Sequence, residues 1–144
     1  MTEKLKVHSP YDGHLIKEID VDDEASIEEA LATAHRLEQK KPLPTPERIA
    51  ILNKTADLVE AKAEEFARQS AEEGGKPLID SRIELARAVQ GIREAANSIG
   101  QLTGHEIPMN LTTSSMNRMA FTTREPVGVV AAVSAFNHPF NLIV

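Results

Sequence analysis

No cysteine occurs in the 144 residues, and that absence removes three kinds of chemistry at once. Disulfide cross-links, thiolate metal ligands and a cysteine nucleophile are all excluded within this stretch. Tryptophan is missing too and Tyr11 is the only tyrosine, so no aromatic platform argues for a stacked ligand. No uninterrupted apolar run approaches the length of a membrane helix. The opening MTEKLKVHSPYDG has no apolar stretch of the secretory kind. The chain therefore reads as soluble and cytoplasmic. Positive charge is in the minority, with Lys and Arg numbering 16 against 22 Asp and Glu, for a formal charge of -6. Such a balance gives no general electrostatic means of holding nucleic acid or an anionic membrane surface. Glu18, Asp20, Asp22, Asp23, Glu24, Glu28 and Glu29 follow one another without a base between them. A calcium loop would need a glycine turn among alternating ligands, so the run reads as a solvated turn entering a helix, where negative charge suits the dipole. No metal site is expected.

What is present is patterned. Lys6 to Val21 reads as a hairpin, with VHSP and HLIKEIDV extended and Tyr11-Asp12-Gly13 carrying the turn. Asp22 or Asp23 can cap a helix whose face is Ile27, Leu31, Ala34 and Leu37. Three prolines in KKPLPTPERIA break it, and Thr45-Pro46 reads as the cap and first residue of the next helix. That helix carries Ile49, Leu52, Ala56, Val59, Ala63 and Phe66 at spacings of three and four, and runs to Gly74-Gly75. A third begins near Ser81, with Glu84 as its capping-box partner, shows Ile92, Ala96 and Ile99 on one stripe, and ends before Gly104.

The character changes after that. Arg118 to Arg124 alternates as a half-exposed strand does, until Pro126 interrupts it. Val127 to Val133, VGVVAAV, is apolar on both faces and rich in β-branched residues, the pattern of a central parallel strand covered by helices. Asn137 and His138 can start a helix with Pro139 in its first turn, which makes this half of a βαβ unit. A parallel strand needs neighbours and a crossover, so the chain reads as cut from something longer.

Loops at the carboxyl ends of parallel strands are where open α/β sheets bind ligands, and Ser134-Ala135-Phe136-Asn137 is such a loop. Phe136 offers an apolar plate, and the Asn137 amide is a neutral donor able to stabilise an oxyanion without competing for a proton. The plain readings are a helix cap for Asn137 and a core position for Phe136.

EPVGVVAAVSAFNHPFNLIV resembles the aldehyde dehydrogenase superfamily, in which a Pro-x-Gly-Val-Val strand precedes a Trp-Asn or Phe-Asn motif. The matching residues are Pro126, Gly128, Val129, Val130, Phe136, Asn137 and Pro139. SPYDGHLI is similar to the family's opening hairpin, GGKP at Gly74 to Pro77 to its Thr-Gly-Lys-Pro stretch, and Glu84 falls on a family acid. The resemblance implies an α/β fold, helix-rich, with the N-terminal hairpin and helices over 1–117. An oligomerisation β-ribbon would cover 118–126, and the first strand, loop and helix start of a Rossmann-like domain 127–144. It implies Asn137 as the oxyanion donor. Val133, Ser134, Ala135, Phe136 and Asn137 would run beside NAD or NADP. The substrate would be an aldehyde, and the whole protein a homodimer or homotetramer.

Ala135 and Phe136 stand where proline and tryptophan are common in the family. Phenylalanine there is similar to the branch holding non-phosphorylating glyceraldehyde-3-phosphate and succinate-semialdehyde-like enzymes. The cofactor-ribose lysine, the general-base glutamate and the nucleophilic cysteine would all lie past Val144, so these residues alone cannot attack an aldehyde. The competing expectation is a non-catalytic helical binding or scaffold module, since three amphipathic helices can bury a core by themselves. It leaves VGVVAAV unexplained, and leaves Leu142, Ile143 and Val144 as an exposed apolar tail.

Overall fold

The computed structural model describes residues 3–40 and 42–144. Antiparallel pairing begins at once. Strand β1 (Lys4–His8) pairs with β2 (Leu15–Asp20) from Lys4 opposite Asp20 to Val7 opposite Lys17, and the register then shifts so that His8 faces Leu15. The shift is a bulge, which bends the ribbon. The turn closes on two backbone bonds of 2.9 Å, from the Ser9 N–H to the His14 carbonyl and from the Gly13 N–H to the Ser9 carbonyl. The expected hairpin is there.

Helix α1 (Glu24–Glu38) is capped by Asp23, whose carboxylate accepts from the Ser26 N–H at 2.9 Å. Its stripe faces outward: Ile27, Leu31 and Leu37 are exposed and only Ala34 is half-buried. Lys41, in the expected proline break, lies outside the described residues. Helix α2 (Thr45–Ala61) has Pro44 in the cap position, so Thr45 sits one place further in than expected. Pro46 lies in the first turn, where a missing N–H costs no helical bond.

One long helix is expected from Thr45 to Gly74, and two are found. Lys62, at φ -111° and ψ 12°, separates α2 from α3 (Ala63–Gly74). The Lys62 N–H bonds back to the Val59 carbonyl in a tightened last turn, while its own carbonyl accepts from Phe66 to start the next helix. Helix α4 (Leu78–Ser98) also starts earlier than expected. Pro77 is its cap and its carbonyl accepts from Asp80 and Ser81, which puts Ser81 inside the helix and fully buried. Ser81 and Glu84 therefore form no capping box.

Helix α4 is the spine, packed by α2 on one flank and α3 on another. Ala56, Val89 and Ile92 make the centre of the core, with Leu52 and Val59 packed on it. Ala67, Leu85, Ala88 and Ala96 are buried as well, and small side chains let helix axes approach closely. The hydroxyls of Ser70 and Ser81 are buried without a hydrogen-bond partner among the described residues. At the surface Arg82 grips Glu64 through two bonds of 2.8 Å, and this guanidinium holds the Glu64 carboxyl down to about 2. Both groups are exposed, so salt screens the pair.

Gly75 ends α3 in the left-handed region at φ 62°. A Cβ there would lie 2.7 Å from Pro10 Cγ, so the hairpin turn rests directly on the corner between α3 and α4. Further along, β3 (Glu106–Ile107) pairs antiparallel with β4 (Ala120–Phe121). The expected strand over 118–124 is thus reduced to two paired residues, and its partner β3 has no signature in the sequence. Residues 127–133, expected as a central strand, form no strand. They have no sheet neighbour among the described residues, Gly128 sits at φ 106°, and Val127 and Val133 are 90% and 98% exposed. A parallel strand depends on paired neighbours. Among the described residues no helix is long and apolar enough to cross a membrane. The architecture is a helix-rich α/β fold with an N-terminal hairpin and a second, very short sheet.

Leu85, wholly buried on α4, provides a test of the core. Leu85→Ala is expected to lower unfolding free energy by about 2–5 kcal/mol, while Leu58→Ala at an exposed α2 position should cost about 0.5 kcal/mol or less. Denaturant titration of the two variants checks the difference, and equal losses would contradict α4 as the spine.

Candidate functional site

A buried polar cluster is built on an acid in the interior of α4. The Glu84 side chain is only 1% exposed. It lies on the helix face that also carries Ser81, Leu85, Ala88 and Ile92, all buried. Lys76, held between the left-handed turn at Gly75 and the cap residue Pro77, forms an ion pair with Glu84 Oε2. The other oxygen, Oε1, accepts from the Phe140 N–H at 2.7 Å and the Asn141 N–H at 3.2 Å. Those amides belong to a helical turn closed by the Leu142 N–H on the His138 carbonyl at 3.1 Å. First-turn N–H groups have no partner inside a helix, and an anion in front of them is favoured. Lys76 Nζ also reaches the Asn137 carbonyl at 3.2 Å. His138 Nδ1 stands 3.6 Å from Oε2, and the Phe140 ring packs on Phe66 of α3 with centroids 5.0 Å apart. Burial by itself pushes the Glu84 carboxyl up, but Lys76 and the two amides outweigh it and hold the group below its ordinary value.

The five residues expected to bind or react lie in sequence just ahead of this anchor. Val133 and Phe136 are 98% and 93% exposed. Ser134 Oγ donates to the Ala135 carbonyl at 3.4 Å, and Ala135 is half-buried. Asn137 is exposed and lines a cleft of about 470 Å³ with Lys76, Asp80, Ile83, Glu84, Arg87 and Asn141. Its amide makes no hydrogen bond among the described residues, whereas its carbonyl is held by Lys76. Neither the cap role for the Asn137 side chain nor the core position for Phe136 is realised in these residues.

This arrangement, a hairpin and helices with the 133–137 loop fastened to α4, matches known proteins over its entire length. Residues 1–144 match the aldehyde dehydrogenase family. The chain belongs to that family. It is 38% identical over 141 residues to 3-sulfolactaldehyde dehydrogenase from Priestia aryabhattai, covering 98% of this chain and 29% of that protein. The crystal structure of glyceraldehyde-3-phosphate dehydrogenase from Methanocaldococcus jannaschii, complexed with NADP, is similar at a TM-score of 0.89 and 33% identity. It is matched over 99% of this chain and 30% of its own. An indole-3-acetaldehyde dehydrogenase from P. syringae, in complex with NAD+, is similar at a TM-score of 0.86 and 27% identity, over 98% of this chain and 28% of its own. The chain thus spans less than a third of the length of these relatives.

For this aldehyde dehydrogenase family chain, Glu84 is the residue that sequence reasoning misplaced, as half of a capping box. The available signal was its position: an acid on the same stripe as Leu85, Ala88 and Ile92 has to be buried when the stripe is. Its partners lie 8 and 56 residues away, beyond any local motif.

The anchor's charge has a pH signature. The folded value lies below the ordinary 4.5, so its contribution is complete above that pH and is lost as the pH falls through the lowered value. Lys76 favours the charged carboxylate, and His138, Asp80 and Arg87 line the same cleft. Acidification from neutrality to well below 4.5 is expected to strip protection from the Phe140 and Asn141 amides before the α4 interior. Hydrogen exchange, corrected for the intrinsic rate at each pH, checks this. Uniform protection across that range would show that the Glu84 charge does not hold the turn.

Proposed function

We propose that these residues form the amino-terminal part of an NAD(P)-dependent enzyme that oxidises an aldehyde to a carboxylic acid. The observation that carries the reading is the family match over every residue together with an Asn137 loop fastened to α4 by a buried ion pair. In the reaction assigned to the whole protein, a cysteine thiolate from outside these residues adds to the aldehyde to give a thiohemiacetal, and a thioester is later hydrolysed. The nicotinamide cofactor supplies the two-electron oxidation between those events. The Asn137 side-chain NH2 donates to the oxyanion that develops as the thiolate adds. Donors fixed in advance at that position stabilise charge in the transition state rather than in the ground state.

The exposed stretch from Val133 to Phe136 suits a segment on which a flat nucleotide is to lie: two apolar side chains face outward and Ser134 offers a hydroxyl. Those four residues and Asn137 are the ones that would hold NAD or NADP. The same reading places the protein in the cytoplasm as a homodimer or homotetramer. Residues 118–126 are then a ribbon against a partner subunit, and 127–144 the start of the cofactor domain after the helical part over 1–117.

Two measurements test it. The intact mass of the purified protein, set beside the length of its reading frame, separates the enzyme reading from a helical binding module. A reading frame ending at Val144 would favour the module. In the whole enzyme, Asn137→Ala is expected to lower kcat by about 10²–10³, with NAD(P) dissociation constants changed less than about threefold. Unchanged turnover with collapsed cofactor affinity would make Asn137 a structural residue.

A further inference from the structure

The Asn137 amide has no hydrogen bond of its own among the described residues, so its aim is decided by the backbone beneath it. That backbone is fixed at three points within five residues. Lys76 Nζ holds the carbonyl of Asn137 at 3.2 Å, and Glu84 Oε1 holds the N–H groups of Phe140 and Asn141 at 2.7 and 3.2 Å. Lys76 and Glu84 are joined to each other by their ion pair, so the three points share one rigid base. That base is the turn before α4 and the interior of α4 itself, which packs against α2 and α3. The Phe66–Phe140 contact closes the opposite side.

We propose that Glu84 and Lys76 are positioning residues for the Asn137 side chain, acting through its main chain to set where the amide donor points. The inference rests on the oxyanion role given to Asn137 above. Both oxygens of Glu84 are engaged in holding the loop, one bonded to the two amides and the other to Lys76. A carboxylate whose purpose was to hold α4 to α3 would bond to α3, and Glu84 does not. Its ties run to the loop and to the lysine that also holds the loop. A misplacement of about 1 Å at a reacting group can cost about 10² in rate, so the geometry of this base bears directly on turnover.

Glu84→Gln keeps the size of the side chain but sets an amide against the Lys76 ammonium, freeing the loop from one of its holds. In the whole enzyme it is expected to lower kcat by about 10-fold to 100-fold, with KM for aldehyde and the NAD(P) dissociation constant within about threefold of the parent. Lys76→Gln, at a side chain that reaches solvent, should give the same split and serves if Glu84→Gln does not fold. Leu85→Ala is the control for weakened packing: it lowers the unfolding midpoint but leaves kcat within about threefold.

The deciding measurement is a double-mutant cycle. If Glu84 acts through Asn137, Glu84→Gln costs no further turnover in the Asn137→Ala background. If the two losses multiply, or if Glu84→Gln alone leaves kcat unchanged, the positioning role is overturned while the role of Asn137 stands. If Asn137→Ala alone leaves kcat unchanged, the oxyanion reading fails first and the positioning role goes with it.

Discussion

A carboxylate taken out of water has to be solvated again by the protein, and the way this is done for Glu84 governs how the neighbouring pieces sit. An ammonium must come within reach, so Lys76 is delivered by the left-handed turn at Gly75 and the proline that opens α4. That turn in turn leaves room for Pro10, and the hairpin settles there. Two more donors are needed, and the first-turn amides at Phe140 and Asn141 supply them. Breaking such a set by removing one partner leaves a charge stranded, a loss on the order of 3–5 kcal/mol for buried pairs. The hairpin, the α3–α4 corner and the loop that follows residue 133 are thereby coupled through one side chain.

What does not rest on Glu84 is equally informative. The stripe of α1 and the segment 127–133 expose apolar side chains rather than burying them. Both are surfaces that suit further packing, and the relatives matched above are more than three times as long as this chain. The helices α2, α3 and α4 need no such help, because Ala56, Leu85, Val89 and Ile92 already form their own interior.

The parts that could be read from sequence were those governed by local rules. The Asp-Gly turn, the Asp23 cap and the helical periods around Ile49 to Phe66 and Ile92 to Ile99 all appear in the fold. The break at Lys62 was invisible because the spacing of Val59, Ala63 and Phe66 runs straight across it. Two-residue strands such as β3 carry no periodicity to detect. VGVVAAV has the composition of a buried strand, but composition states what a segment suits and not whether its neighbours are there. The motif points to the Asn137 loop from sequence alone. Its anchor has no such signal, because the contact between Glu84 and Phe140 joins residues 56 apart, and only the fold brings them together.

The order of the elements along the chain has a consequence for how the molecule is assembled. Helices α2, α3 and α4 occupy the contiguous span 45–98, and the contacts among them need no residue outside it. Contacts closed within one contiguous stretch can form while later residues are still being synthesised. Lys76 and Glu84 both lie in that span, so everything that receives residues 137–141 precedes them in the chain. Wherever the turn at 138–142 lifts locally, water can replace the two N–H groups on Glu84 Oε1, so such an opening leaves the helical core intact.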